Sequence, residues 1–165
     1  MTLSPYTPDP DLDLVLEREV DVPPELVWEA WTTPEHIKVW FAPKPFETPE
    51  CEIDLRPGGA FRTVMRSPDG EEFPGVGCYL EIVPNVRLTW TSALGPDYRP
   101  AADSDGMPFT AMIELQPNGS GGTRYRAVAM HQDEDDRDRH QEMGFAEGWD
   151  AALDQLVALA ESLPA

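Results

Sequence analysis

Two histidines carry the most versatile chemistry in this chain. His131 follows the period-two run TRYRAVAM, and His140 stands before a long apolar stripe, with Glu142 two residues on. An imidazole exchanges protons near neutral pH, so two of them at one end of an enclosed space could serve as general acid and base. Tyr79 and Tyr125 could orient a substrate carbonyl beside them. The opposing reading is a pair of surface histidines next to the acidic run HQDEDDRD. A metal centre built from His131, His140 and Glu142 is not expected, because the spacing matches no established ligand pattern. His36 lies between Glu35 and Ile37 on a short helix, where an exposed face accounts for it.

Other chemistries lack their residues. There is no GxSxG, and neither Cys51 nor Cys78 has an evident partner histidine. Gly58 and Gly59 alone supply no GxGxxG, so nucleotide cofactors are set aside and no cofactor is expected. Both cysteines fall inside apparent strands, where reduced buried thiols are expected rather than a bridge.

The elements that must position these side chains can be read from periodicity. Residues 1–11 are rich in proline and acid and read as a flexible lead-in; residues 12–165 read as one domain. Leu12, Leu14, Leu16, Val20 and Val22 alternate with acids in a half-buried strand, interrupted by Arg18. Glu81 is its expected partner. Two short helices follow, with Leu26, Val27, Ala30 and Trp31 on the buried side of the first and Ile37, Trp40 and Phe41 on the second. Thr32 or Thr33 is the expected hydroxyl cap of the second helix. From Phe46 to Met130 the pattern has period two. CEIDL, AFRTVMR, GVGCYLEIV, VRLTWTS, FTAMIEL and TRYRAVAM read as strands joined by short Gly, Pro and Asn turns, apart from a longer loop over Leu94 to Met107. Such connections are too short for crossover helices, so an antiparallel meander is predicted. Met143, Ala146, Trp149, Leu153, Leu156, Ala160 and Leu163 then mark a C-terminal helix of about six or seven turns, with Gly144 and Gly148 inside it. The Asp133 to Asp138 stretch before it reads as an acidic loop.

Alternation also assigns faces. Arg124 and Arg126 should meet water, which turns Tyr125, Ala127, Ala129 and His131 inward. Arg62 and Arg66 do the same for Phe61, Thr63 and Met65. Phe109, Ala111 and Ile113 face in on their strand, with Tyr79 and Trp90, and Glu81 on the side of Tyr79. Trp31, Trp40, Met143 and Trp149 complete the lining from the helices. Small residues at Ala111, Ala127 and Ala129 opposite large aromatics would leave a cavity between sheet and helix; the alternative is an ordinary filled core.

The charge narrows the partners. In 165 residues, 31 Asp plus Glu stand against 12 Lys plus Arg, for a formal net charge of −19. Neither the phosphate contacts of a nucleic-acid binder nor a polybasic membrane anchor is available. No run approaches the ~20 apolar residues of a membrane helix and no signal peptide is evident, so a cytoplasmic monomer or homodimer is expected.

The series VPPELVWEAWTTPEHIKVWF, EIDLRPGGAFRTVM, SPDG, GVGCYLEIVPNVRLTW, GGTRY and GWDAALDQLVAL resembles the heat-shock-protein-ninety ATPase activator homologue branch of the START and birch-pollen-allergen superfamily. The resemblance spans residues 12–163. It implies an α+β helix-grip fold, in which a curved antiparallel sheet of six to seven strands wraps a long C-terminal helix over an apolar cavity. It also implies a small hydrophobic or amphipathic ligand. Some members of the superfamily are enzymes, so a cyclase, dehydratase or hydrolase with a His/Tyr acid-base pair is the alternative. A chaperone-regulating or other protein-interaction role is a third. Eukaryotic co-chaperones of this branch carry a separate N-terminal domain, whereas only a short tail precedes Leu12 here.

Overall fold

The computed structural model describes residues 3–101 and 107–164, so the loop expected over Leu94 to Met107 lies partly outside the described residues. Alternating apolar and charged residues form β1 (Asp13–Val20), because successive strand side chains point to opposite faces. Prolines at the first turn, where no N–H is needed, open α1 (Pro24–Thr32) and α2 (Pro34–Trp40). The expected hydroxyl cap of α2 is not made. Thr32 donates its hydroxyl to the Trp28 carbonyl at 2.8 Å, and the carbonyl of Thr33 already accepts from the His36 and Ile37 amides.

The period-two region forms β2 (Glu47–Ile53), β3 (Ala60–Arg66), β4 (Glu72–Val83), β5 (Arg87–Thr91), β6 (Thr110–Pro117) and β7 (Thr123–Met130). With β1 they make one seven-stranded antiparallel sheet in the order β1-β7-β6-β5-β4-β3-β2. The meander is as predicted, and β1 closes it by pairing with β7.

Register sets the inner face. One row crosses Leu14, Ala129, Ala111, Trp90 and Tyr79; the next crosses Leu16, Ala127, Ile113, Leu88 and Ile82. The rows are two residues apart on four strands and three apart on β4, because a bulge lies between Tyr79 and Glu81. A bulge inserts an unpaired residue and reverses the faces beyond it. Glu81 therefore lies opposite Thr89 on the outer face, not beside Tyr79, and it cannot be the partner of Arg18. Arg18 instead reaches Asp150 at 2.7 Å and Asp154 at 2.9 Å on the long C-terminal helix.

The C-terminal helical region is two helices rather than one. Asp133 caps α3 (Glu134–Glu142) by accepting from the Asp136 amide at 2.8 Å, and Glu134, Asp135 and Asp136 fill its first turn, where negative charge is favoured. The stretch read as an acidic loop is thus helical. Gly144, with φ at 95°, turns the chain before α4 (Phe145–Ser162). The 18 residues of α4 make about five turns. The break shifts the phase of the apolar stripe: Phe145 is buried, Ala146 is exposed, and Met143 is 72% exposed. Met143 is thereby removed from the interior lining. Leu153, Leu156 and Ala160 of α4 are buried in the core. A helix gripped by a curved antiparallel sheet is the helix-grip arrangement.

On the outer face Glu114 accepts from Arg87 at 2.7 Å and from Arg126. Loss of water raises the Glu114 carboxyl, but these bonds outweigh that and hold it below its ordinary range. Arg87 also donates to the Ser4 carbonyl at 2.7 Å and the Tyr6 amide to Glu114 at 3.1 Å. The Tyr6 hydroxyl donates to Asp13 at 2.7 Å. From Ser4 onward the lead-in, expected from composition to be loosely held, lies along the sheet through these bonds.

The two helix glycines should respond oppositely to alanine. Gly144→Ala places a side chain at a positive φ and is expected to lower stability by about 1 kcal/mol. Gly148 is helical with open space around the position of a Cβ, so Gly148→Ala is expected to raise stability by about 0.5–1 kcal/mol. Urea unfolding of the two variants measures both signs.

Candidate functional site

At the β3–β5 end the inward residues meet the two short helices in an aromatic cluster. Trp31 and Trp40 pack edge to face at 4.7 Å between ring centroids, and Trp90 lies 5.1 Å from both Trp31 and Phe61. Phe61 stacks on Tyr79 at 5.6 Å, and Phe41 bridges Trp40 and Phe61. Edge-to-face and offset contacts suit the quadrupoles of the rings. Trp31, Trp40, Phe61, Tyr79, Trp90, Ala111, Ile113, Tyr125 and Ala127 all belong to this core. Thr63 is buried beside it, whereas Met65 is half-buried and is not part of the core cluster.

The polar atoms here are few and unequally served. The Trp40 indole donates to the Ala30 carbonyl at 2.8 Å, and the Trp31 indole to the Tyr125 hydroxyl at 3.1 Å. The Tyr79 hydroxyl is buried and has no hydrogen-bond partner. Burial pushes the Tyr79 phenol well up, with a smaller contribution from Cys51, and burial raises Tyr125 as well. Both phenols therefore hold their protons at neutral pH, and the Tyr79 O–H is a donor without an acceptor. Cys51 and Cys78 are free thiols, and burial lifts Cys51 to about 11.

A second, smaller cluster lies where β7 meets α3 and α4. Ala129 packs there with Leu14 and Phe145, so this alanine does not stand opposite an empty space. Phe109 and Trp149 flank the group. His131 Nε2 and His140 Nδ1 are 2.8 Å apart, and His131 Nδ1 is 2.9 Å from the Leu12 carbonyl. A carbonyl can only accept, so His131 Nδ1 carries a proton and donates. With one proton on each ring, His131 Nε2 must accept and His140 Nδ1 must donate. The free lone pair then resides on His140 Nε2. Phe109 lies 4.9 Å and Phe145 5.3 Å from the His140 ring. Loss of water in this aromatic setting, with a lesser contribution from His131, pushes His140 down to about 4.

The two histidines were expected at one end of an enclosed space, and the structure joins them to each other directly. It does not join them to the tyrosines: among the described residues no hydrogen bond links His131 or His140 to Tyr79 or Tyr125. Glu142 is exposed, and no cluster of metal-ligating side chains occurs among the described residues. Phe41 and Phe145 were missing from the expected lining. Gly144 was the signal for Phe145, since a glycine just before an apolar stripe can mark a helix boundary as well as a helix interior.

The sheet, the gripped helix and the paired short helices together coincide with one known family, activator of Hsp90 ATPase homolog 1-like protein, whose pattern matches residues 21–161. The chain belongs to this family. Protein NE0264 from Nitrosomonas europaea is 52% identical, with 93% of this chain and 96% of that one covered and a TM-score of 0.88. Protein Ms6760 from Mycobacterium smegmatis has the same fold at 23% identity, covering 94% of each chain with a TM-score of 0.76. The activator-homolog-like protein from Aeromonas hydrophila is 22% identical over 92% of this chain and 93% of its own, with a TM-score of 0.67. None of the curated proteins compared with the chain matches it. The family's fold commonly binds hydrophobic ligands. No helix among the described residues is long and apolar enough to cross a membrane.

The histidine pair makes a pH prediction. A folded value near 4 for His140 lies below the ordinary 6.5, so the unfolded chain binds this proton first. Stability contributed by the neutral ring is complete above about pH 6.5 and is lost as pH falls toward 4. An NMR titration should find the His140 ring protonating near pH 4. The difference in urea stability between wild type and His140→Gln should shrink over the same interval; protonation near pH 6.5 would refute a neutral, half-buried His140 ring.

Proposed function

We propose that this protein binds a small apolar or amphipathic ligand between the sheet and the helices packed on it, and that Tyr79 receives the ligand's polar group. The observation that carries the reading is the partnerless Tyr79 hydroxyl among Phe61, Trp90 and the neighbouring rings. An unsatisfied buried donor costs about 1–3 kcal/mol, and a carbonyl or ether oxygen placed there would recover much of it. Aromatic walls with one placed polar group are the usual composition of a small-molecule site. Trp31, Trp40, Phe61, Trp90 and Tyr125 form the apolar surround. The family's habit of binding hydrophobic ligands supports the same conclusion.

A second reading, acid-base catalysis on such a ligand, is favoured by the free Nε2 lone pair of His140. Its partner would be His131, which orients the ring, rather than a tyrosine. Activity of this kind should disappear in His140→Gln while ligand binding is kept.

Ligand binding can be tested with two probes of nearly one shape, 2-acetylnaphthalene and 2-isopropenylnaphthalene, read by tryptophan fluorescence. The ketone is expected to bind about three- to tenfold tighter to wild type, the worth of one neutral hydrogen bond. In Tyr79→Phe the preference should vanish, while the ligand-free protein keeps its stability or gains up to about 1 kcal/mol. A preference that survives the substitution, or no binding of either probe, would overturn the assignment. Native mass spectrometry of protein purified from its own host would identify the ligand class if a small molecule is retained.

A further inference from the structure

The chain's only two lysines, Lys38 and Lys44, line one pocket. Its volume is about 380 Å³, at the lower end of small-molecule sites. It lies outside the aromatic interior, between the end of α2 and the start of β2, and Val39, Ala42, Phe46, Glu47 and Thr48 complete its wall with Pro45. Three features separate it from ordinary surface.

The first is charge. In a protein of net charge −19 most of the surface repels anions, yet here both lysines line one recess. Neither has an ion-pair partner among the described residues, where all the ion pairs are made by arginines. The acid in the wall, Glu47, is engaged by Arg66 at 2.7 Å. Lysines near a helix C-terminus often serve its free carbonyls, but that work is done by Gln155 of α4. Its side-chain amide donates to the Trp40 and Ala42 carbonyls at 2.9 and 2.8 Å, and its oxygen accepts from the Lys44 backbone at 3.0 Å. The segment from Trp40 to Lys44 is pinned, and neither lysine side chain makes a hydrogen bond or ion pair among the described residues.

The second feature is apolar exposure in the same place. Val39 is 59% exposed and Phe46 38%. Phe73, 42% exposed, lies 6.4 Å from Phe46 between ring centroids. The third is Thr48, a wall residue that is 3% exposed and whose hydroxyl has no partner.

We infer that this pocket binds a small organic anion with an apolar tail, its head group held between Lys38 and Lys44 and its tail laid on Val39 and Phe46. The chemistry is that of a carboxylate, since two separate ammonium groups and one hydroxyl offer donors to a compact anion. The site is independent of the Tyr79 reading, with which it shares no residue.

The test uses octanoate below its micelle concentration, with octanol for the tail alone and acetate for the head alone. Amide NMR of the whole chain reports the location. Octanoate is expected to perturb Val39, Ala42, Phe46 and Thr48, and to bind at least about tenfold tighter than either control, as charge-assisted hydrogen bonds imply. Affinity should fall as salt is raised. The double substitution Lys38→Met with Lys44→Met, at surface positions that make no side-chain bond, should abolish the preference for octanoate over octanol; Thr48→Val should weaken binding less. Perturbations confined to Tyr79, Trp90 and their neighbours would overturn this site while leaving the interior one standing. So would octanoate binding that is indifferent to the lysine pair, or no perturbation at all.

Discussion

Seven strands present one continuous apolar surface to α4 and the two short helices only while their registers agree, and that agreement is the constraint on which the rest of the molecule depends. Side chains alternate with period two, so a slip of one residue anywhere would exchange an inward Tyr125 or Trp90 for an outward arginine or threonine. The row from Leu14 through Ala129, Ala111 and Trp90 to Tyr79 shows the agreement held across five strands. The bulge after Tyr79 is the place where it is reset. It keeps Ile82 on the inner face, against the core, and sends Glu81 to the outer face, where Thr89 and Arg87 receive it.

Charge is arranged around that surface. Acids occupy outward strand positions, the first turn of α3 and the outer side of α4, and the arginines mostly answer them. The pairs are unequal. Arg18 with Asp150 and Asp154 is largely solvated, and contacts of that kind contribute between about 0.2 and 1 kcal/mol each. Glu114 between Arg87 and Arg126 is much less exposed; there the cost of removing charge from water is offset only because the carboxylate is hydrogen-bonded on several sides. That cluster also ties the lead-in to the sheet. The two lysines stand apart from this scheme, which is why they read as a binding feature and not as part of the solvated shell.

The two candidate sites were legible to different degrees. The burial of the inward aromatic residues followed from alternation, because burial of every second residue is a local property of a strand with one wet face. Met143 and Ala146 were misplaced since the helical stripe was read through Gly144, and a period of 3.6 carries no mark of a break unless the glycine is taken as one. The distance between His131 and His140 was open in the sequence: the eight residues between them could have been a loop, and it is the capped helix α3 that returns His140 to the end of β7. Neither the missing partner of Tyr79 nor the convergence of Lys38 and Lys44 has any sequence signature, because each is defined by what is absent or present in three dimensions around it.

The sequence by itself therefore determined the meander and the inward faces of most strands, which rest on local periodicity and turn chemistry, and the family with its kind of fold, which rest on the resemblance of a series of motifs in order. Tertiary structure alone decided the rest: where the sheet bulges, that the C-terminal region is two helices, that two imidazoles share a proton chain, and which buried donors and surface cations go unanswered. Those depend on contacts between residues far apart in the chain, and hydrogen bonding, desolvation and charge pairing act on distance in space rather than on spacing in sequence.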